Sequence, residues 1–446
     1  MFSSSLDPLF LEFFRHFSEP TYQRFLFLLA WAVLTVGRRT VSNLLRTAGK
    51  TARGHASSYH RLFSKRRWSL WPLARALAAF ILDRWIPTGP VRVVFDDTVD
   101  GHKGKHVYGK ACHRDAVRST HSYTAYRWGH KWVVLCLLVK FPFAARPWAL
   151  PVLVALYRSR EWNEKHGRRH KTPPELARQL LAVLMHWFPE RKFVSAGDGG
   201  FSTHDLAGFA FRHRTRAALV GRFYPKANLY APPPERKPRQ TGRPAEKGRK
   251  LPPPESVVKR SARKRLRVSW YGGGTRRVEV VSGTGLWYKA GQGVVEVRWV
   301  FVHDLDGTHR DEYFFSTDAN LTPKEIIEIF TGRWSIEVTF QELRAYLGLE
   351  TTRGRTEKTV LRAAPCLFGL YSVVALAYAA LPASQARAGR VEWAGKTETT
   401  FSDAITAVRR QLWREWVFKR GAHAAAFTKL PPSTQAFLLA ALAPAA

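Results

Sequence analysis

Three carboxylates in this chain stand where they could handle a phosphate: Asp97 in "VRVVFDDT", Asp198 in "KFVSAGDGGFS" and Glu337 in "TGRWSIEVTFQEL". The first two close short apolar runs that read as strands, and the third sits in a run of helical periodicity. Strand ends converge at one edge of an α/β sheet, and a helix laid across that edge brings a third carboxylate to the same point. An oxygen-only set of this kind suits Mg²⁺ or Mn²⁺. Two such ions, about 3.5–4 Å apart, activate a water or a 3′-hydroxyl and stabilise the leaving oxygen of an in-line displacement at phosphorus. Taken singly, each acid has a plainer role: Asp97 caps a turn, Asp198 forms a glycine turn, and Glu337 pairs with Arg333 at helical spacing.

The composition names a partner for that chemistry. Lys and Arg number 71 against 34 Asp and Glu, a formal charge of +37 in 446 residues. A surplus of this size, spread along the whole chain, calls for a polyanion, and phosphate backbones fit because neutralising them releases counterions. The three cysteines, Cys112, Cys136 and Cys366, have no paired spacing for a zinc site and suit a reducing cytoplasm. Asp7 and Glu12 stand where a signal peptide would be basic. The uncharged run 363–381 is long enough to raise a membrane span, but Pro365 and its many small residues favour a core helix. No membrane partner is expected.

The elements that must position the acids change character along the chain. Up to about Trp85 the pattern is helical, and 40–68 reads as two short helices broken near Gly49 with basic flanks, as in a helix-turn-helix. Ser58, His60 and Arg61 fall on the second of these, where they can reach DNA. From Val91 onward strands alternate with helices, which argues for a mixed α/β sheet covered by helices. Thr172, Pro173 and Glu175 spell a capping-box helix start. The proline-rich, basic stretch 225–267 is expected to be extended, with glycine-turned hairpins after it. The block 222–295 thus looks inserted between two parts of one α/β domain.

Thr322, Pro323 and Glu325 start a further helix that Gly348 can end. Phe330, Arg333, Glu337 and Arg344 recur at steps of three, four and seven, so a continuous helix places them on one face. Glu337 then meets the metal while Arg333 and Arg344 hold phosphates.

This last pattern resembles the signature of bacterial insertion-sequence transposases with a DDE triad, in the hairpin-forming branch typified by the fourth insertion-sequence family: Tyr, two residues, Arg, three residues, Glu, six residues, Lys. Here Phe330 stands for the Tyr and Arg344 for the Lys, with spacing kept. "FDDT" is similar to the family's first-acid motif, which favours Asp97 over Asp96 because Thr98 follows it. "GDGGF" is similar to the second, with Gly199 where many members have Arg, and "SSYHRLFSKRRW" to the N-terminal region.

The resemblance implies a ribonuclease H-like catalytic core with an inserted mainly-β subdomain, flanked by helical N- and C-terminal regions. The expected divisions are 1–88, a helical DNA-binding region; 89–221 and 296–358, the two parts of the core; 222–295, the insertion; and 359–446, a helical C-terminal region. It also implies cut-and-paste transposition through nicking, hairpin formation and opening, and strand transfer, with two Mg²⁺ or Mn²⁺ ions, double-stranded DNA as partner and a homodimer in the nucleoid. Trp270, Trp287 and Trp299 are candidates to stack a flipped base, and Lys103 and Lys105 to meet phosphate. His113 and His130 are read as structural or solvent-facing. Trp413, Trp416 and Lys419 are candidate dimer contacts. Two other functions fit the same residues: a stand-alone nuclease, and a DNA-binding protein derived from a transposase that has lost catalysis.

Overall fold

The computed structural model describes residues 4–115, 118–235, 241–307, 309–388, 390–396, 398–419 and 424–444. The chain opens with α1 (Asp7–Phe14), α2 (Glu19–Leu34), α3 (Val41–Ala48), α4 (Ala56–Ser64) and α5 (Leu70–Trp85). Helix α2 is apolar on most sides and is accordingly a core helix, with Phe25, Leu28, Trp31 and Val33 buried. Helices α3 and α4 are the expected pair, separated at Gly49, whose φ of +54° suits a residue without a Cβ. The Thr40 hydroxyl caps α3 by accepting from the Asn43 N–H.

The remaining elements are β1 (Val91–Gly101), β2 (Ala111–Arg114), β3 (Tyr126–Val139), β4 (Trp148–Tyr157), α6 (Arg160–Lys165), α7 (Pro173–Trp187), β5 (Phe193–Ala196), α8 (His204–Arg212), β6 (Ala217–Arg222), β7 (Leu229–Tyr230), α9 (Pro254–Arg260), β8 (Lys264–Ser269), β9 (Thr275–Lys289), β10 (Gly293–Asp304) and β11 (Glu312–Ser316). After them come α10 (Pro323–Gly332), α11 (Ser335–Leu347), α12 (Glu357–Ala379), α13 (Ala383–Arg387), α14 (Phe401–Leu412), α15 (Ala424–Lys429) and α16 (Pro432–Leu442).

Among the described residues one sheet runs β2-β3-β1-β5-β6-β11-β10-β9-β7, with β4 also on β3 and β8 on β9. Its centre, β4-β3-β1-β5-β6, is antiparallel across β4, β3 and β1 and parallel across β1, β5 and β6. That is the ribonuclease H-like order. The parallel steps need crossovers, supplied by α7 between β4 and β5 and by α8 between β5 and β6. The apolar runs 93–95 of β1 and 132–139 of β3 are buried under helices: α7 packs on β3 and β4, α11 on β1 and β4, and α12 on β4. The inserted block does not leave this sheet. Its long β9–β10 hairpin joins through β11 to β6 and extends the same surface.

Both capping boxes form, at Thr172 with Glu175 and at Thr322 with Glu325, and Gly348 ends α11 in the left-handed region at φ +60°. Three expectations change. Strand β1 does not end at its acids; it stays paired with β3 as far as Gly101. The basic stretch after β6 contains β7 and the short helix α9, because Leu229 and Val258 find places in the core; its residues 236–240 lie outside the described set. The helix carrying Glu337 is two helices, α10 and α11, separated at Arg333 and Trp334.

Helix α12 is the one described helix long and apolar enough to cross a membrane, and 72% of its apolar window is buried inside the protein. Its neighbours are β4, α4, α5, α11 and α14. Trp413 and Trp416, expected at a dimer interface, instead pack on Trp31 of α2, at ring distances of 5.6 and 5.7 Å. Lys419 pairs with Glu415 one turn before it, at 3.4 Å.

Candidate active site

The parallel pairing of β1 with β5 covers only Val91–Val94 and Phe193–Ala196. Beyond it β1 continues along β3 while β5 turns away, so the sheet opens between the two strands. Asp96 and Asp97 lie just past that point on β1, and Asp198 lies two residues past the end of β5. This crevice at the carboxyl ends of parallel strands is where α/β sheets place ligands. Asp198 is held by its own turn: its Oδ1 accepts from the Gly200 N–H at 2.8 Å and the Phe201 N–H at 3.3 Å. The Ser202 hydroxyl donates to its backbone carbonyl.

Helix α11 crosses the opening. Arg333, 8% exposed, sits at the break before it and donates to two acids at once, to Asp96 Oδ2 at 3.2 Å and Glu337 Oε1 at 2.9 Å. The pair at i,i+4 is therefore one arm of a bridge from helix to strand. Two turns beyond Glu337, Arg344 donates to the Thr98 hydroxyl and lies 3.2 Å from Glu350. Phe330, near the end of α10, is buried at 1% exposure, packs against Phe314 at a ring distance of 4.3 Å and lies beneath the Arg333 guanidinium, which stands 5.7 Å from its ring centroid.

Successive residues of a strand face opposite sides of the sheet, and this divides the two neighbouring acids. Asp96 and Thr98 face α11. Asp97 faces the other way and pairs with Lys131 Nζ at 3.0 Å. Burial pushes the Asp96 carboxyl up to about 8, with Arg333 opposing the shift and Asp198 and Asp97 adding to it. Asp97 is also raised by burial, with Lys131 opposing and Asp198 adding. Burial alone would lower the Arg333 guanidinium, yet Asp96 and then Glu337 hold it above the ordinary arginine value. Asp96, Asp97 and Asp198 thus feel one another's charge, and Arg333 ties Glu337 to the group.

A second cluster lies at the far end of β1. Asp100, His102 and His130 are all buried, with ligand atoms within 4.8 Å of one another, a set capable of ligating a metal ion. His102 Nε2 is 3.3 Å from Asp100 Oδ2, and His130 Nδ1 is 3.5 Å from Oδ1. The carboxylate also accepts from the His130 N–H and from Trp132 Nε1. Burial would raise Asp100, but His102 and His130 hold it well below the usual carboxylate range. His113 is buried as well, and burial pushes its imidazole down to about 4.

Sequence reasoning missed Lys131, Asp100 and His102. The readable signal was strand alternation: Asp96, Thr98 and Asp100 share a face, and Lys131 follows His130 on the partner strand. Lys103 and Lys105 are exposed in the segment after β1, and Ser58, His60 and Arg61 lie on α4, the last two exposed. Trp270, Trp287 and Trp299 are 7%, 6% and 2% exposed. Trp287 is wedged among His204, Phe223 and Phe315, and Trp299 lies against Gly283, where a Cβ would collide with its ring. None of the three offers an open ring face.

Sheet order and acid placement together define a protein with a ribonuclease H-like core. Within that class the chain belongs to the DDE superfamily endonuclease family, whose model matches residues 12–277, more than half of its length. A second family model, described as "Archaeal putative transposase ISC1217", matches residues 279–364, which include α10 and α11. No curated protein matches the chain. Among solved structures, a piggyBac transposase synaptic complex with hairpin DNA, determined by cryo-electron microscopy, is similar over 96% of this chain and 77% of its own. Sequence identity there is 10% and the TM-score 0.39, a likeness too loose to bear on function.

Proposed function

We propose that this chain is a DDE transposase that cuts and joins the double-stranded ends of an insertion sequence, in the hairpin-forming branch its α10–α11 motif resembles. The observation that carries the reading is the bridge from Asp96 through Arg333 to Glu337 at the crevice that also holds Asp97 and Asp198. The metal ligands on this reading are Asp198, Glu337 and the Asp96–Asp97 pair. The geometry favours Asp96 as the first acid, since it faces α11, whereas the motif favours Asp97. Ionised together, as a bound cation would hold them, the four carboxylates against Arg333 and Lys131 would carry two net negative charges, which suits one divalent cation before DNA is bound and a second that arrives with the charge of the phosphate. Mg²⁺ or Mn²⁺ held there would supply Lewis-acid activation of the attacking and leaving oxygens.

The remaining residues take positioning roles. Arg333 orients Asp96 and Glu337; Arg344, two turns beyond Glu337, takes the incoming phosphate; and Lys131 offsets Asp97. Lys103 and Lys105 contact the backbone near the cut, and Ser58, His60 and Arg61 on α4 contact it further away. The N-terminal helices to residue 88 serve DNA binding, and two copies of the chain bring two ends together in the cytoplasm.

The test is metal-dependent cleavage of DNA carrying the element's own ends, comparing wild type with Asp96→Ala, Asp97→Ala, Asp198→Ala and Glu337→Ala. Hairpin products lost in the Asp198 and Glu337 variants and in one of the two Asp variants, with binding kept, support the reading and name the first acid. Binding without cutting by wild type supports the catalytically inactive alternative. Cutting without preference for those ends supports a general nuclease.

A further inference from the structure

While the three tryptophans singled out by sequence are buried, a different set of rings stands open. Tyr123, Tyr126 and Trp128 are 65%, 69% and 58% exposed, all within six residues at the start of β3. The register of β2 on β3 places Arg114 opposite Tyr126 and Cys112 opposite Trp128, so Tyr126 and Trp128 project from the same side of the hairpin as Arg114. Lys110 Nζ stands 5.3 Å over the Trp128 ring. Packing within the described residues gives these rings no cover, although the same strand buries Trp132 completely two turns of the pleat further on. Exposed aromatics interleaved with cations make a surface for flat, anionic partners. A protein partner of aliphatic character would gain nothing from the arginine and lysine between the rings. Unpaired nucleotides use both, since bases stack and phosphates pair.

Position relates this surface to the crevice. Asp97 pairs with Val133, five residues along β3 from Trp128, or about 17 Å at strand rise. That is the length of about five stacked nucleotides. We infer that the β2–β3 hairpin, through Tyr126, Trp128 and Arg114, is a stacking platform for single-stranded DNA beside the catalytic crevice. The inference rests on the DNA-processing function proposed above but concerns a separate contact.

The experiment uses the full chain and fluorescein-labelled oligonucleotides at fixed salt: a thymidine 20-mer, an abasic strand of the same length, and a duplex. Wild type is expected to bind the thymidine strand at least about 10-fold more tightly than the abasic one, since each stacked base is worth about that factor. The Tyr126→Ala/Trp128→Ala double variant should lose this preference while keeping duplex binding and its melting temperature. Trp128→Phe, which keeps a ring, should retain most of it. Equal binding of thymidine and abasic strands by wild type, or an undiminished preference in the double variant, overturns the platform. So does a wild-type dimer that the double variant abolishes with thymidine binding unchanged, which would make the patch an interface between copies. Metal-dependent duplex cleavage measured on the same preparations separates the two ideas: a base preference without cleavage leaves the platform standing and removes the transposase function, and cleavage without a base preference does the reverse.

Discussion

Asp96→Asn should stabilise the metal-free protein, and the size of the effect should depend on pH in a way the buried carboxyl dictates. Its folded pKa of about 8 lies far above the ordinary 3.8. A carboxyl raised on folding contributes stability that is fully present below the ordinary value and is lost as pH rises through the folded one. Roughly three pH units separate neutral pH from 3.8, and each is worth about 1.4 kcal/mol, so the wild-type fold is weaker by about 4 kcal/mol at pH 7 than a neutral isostere would make it. At pH 5 the figure is about 2 kcal/mol, and above pH 8 it levels off near 6 kcal/mol. Arg333 loses little by the change at neutral pH, because Asp96 is mostly protonated there and the bond to Glu337 remains. For a chain of 446 residues the unfolding entropy is roughly 0.9 kcal/mol/K, so the variant should melt about 4–5 °C higher at pH 7 and about 2 °C higher at pH 5. Thermal melts in EDTA at pH 5, 7 and 8.5 measure this. Mg²⁺ should then raise the wild-type melt and leave the variant nearly unmoved, because the ion binds the ionised form. A variant no more stable than wild type in EDTA, or a difference that ignores pH, would refute the reasoning by placing Asp96 ionised in the fold.

Asp100→Asn should have the opposite sign. A carboxyl held low by two histidines stabilises the fold above the ordinary pKa, so the variant should lose about 3–5 kcal/mol at pH 7, and the difference in chemical denaturation should shrink as the pH falls below 4. Gly348→Ala should cost about 1 kcal/mol or more by the same assay, since its φ is +60° and a Cβ there would stand 2.8 Å from the Thr351 hydroxyl. Replacing Lys103 and Lys105 together with Ala should weaken duplex binding alike for all sequences and reduce the slope of log affinity against log salt by about 2, with catalysis on saturating DNA little changed.

What the sequence made legible followed from local rules. Thr172-Pro-Pro-Glu175 and Thr322-Pro-Lys-Glu325 announce helix starts because the cap is made within four residues. The apolar stretches 93–95 of β1 and 132–139 of β3 announce buried strand segments because no polar residue interrupts them. The acids are expected as a set because the apolar runs before Asp97 and Asp198 and the helical periodicity around Glu337 can each be read locally. What was hidden depended on partners far away in the chain. The choice between Asp96 and Asp97 turns on which face of β1 meets α11, and neither residue's neighbours reveal that. The break at Arg333–Trp334 keeps helical dihedrals, and Gly332, the last residue of α10, is a weak local sign of it because a single glycine inside a helical pattern is tolerated. Trp287 and Trp299 have the composition of a recognition surface and the burial of a core, a distinction that needs the other strands of the sheet.

The bridge between Asp96 and Arg333 joins residues 237 positions apart. While a ribosome makes the chain, β1 and β5 are complete well before α11 exists, and at about 5–20 residues per second the 139 residues from Asp198 to Glu337 take on the order of ten seconds to appear. On the function proposed above, the nascent chain would for that interval carry its basic surface without the carboxylate that completes the crevice. The order of elements along the chain would then withhold cutting from any copy that is unfinished or truncated before α11.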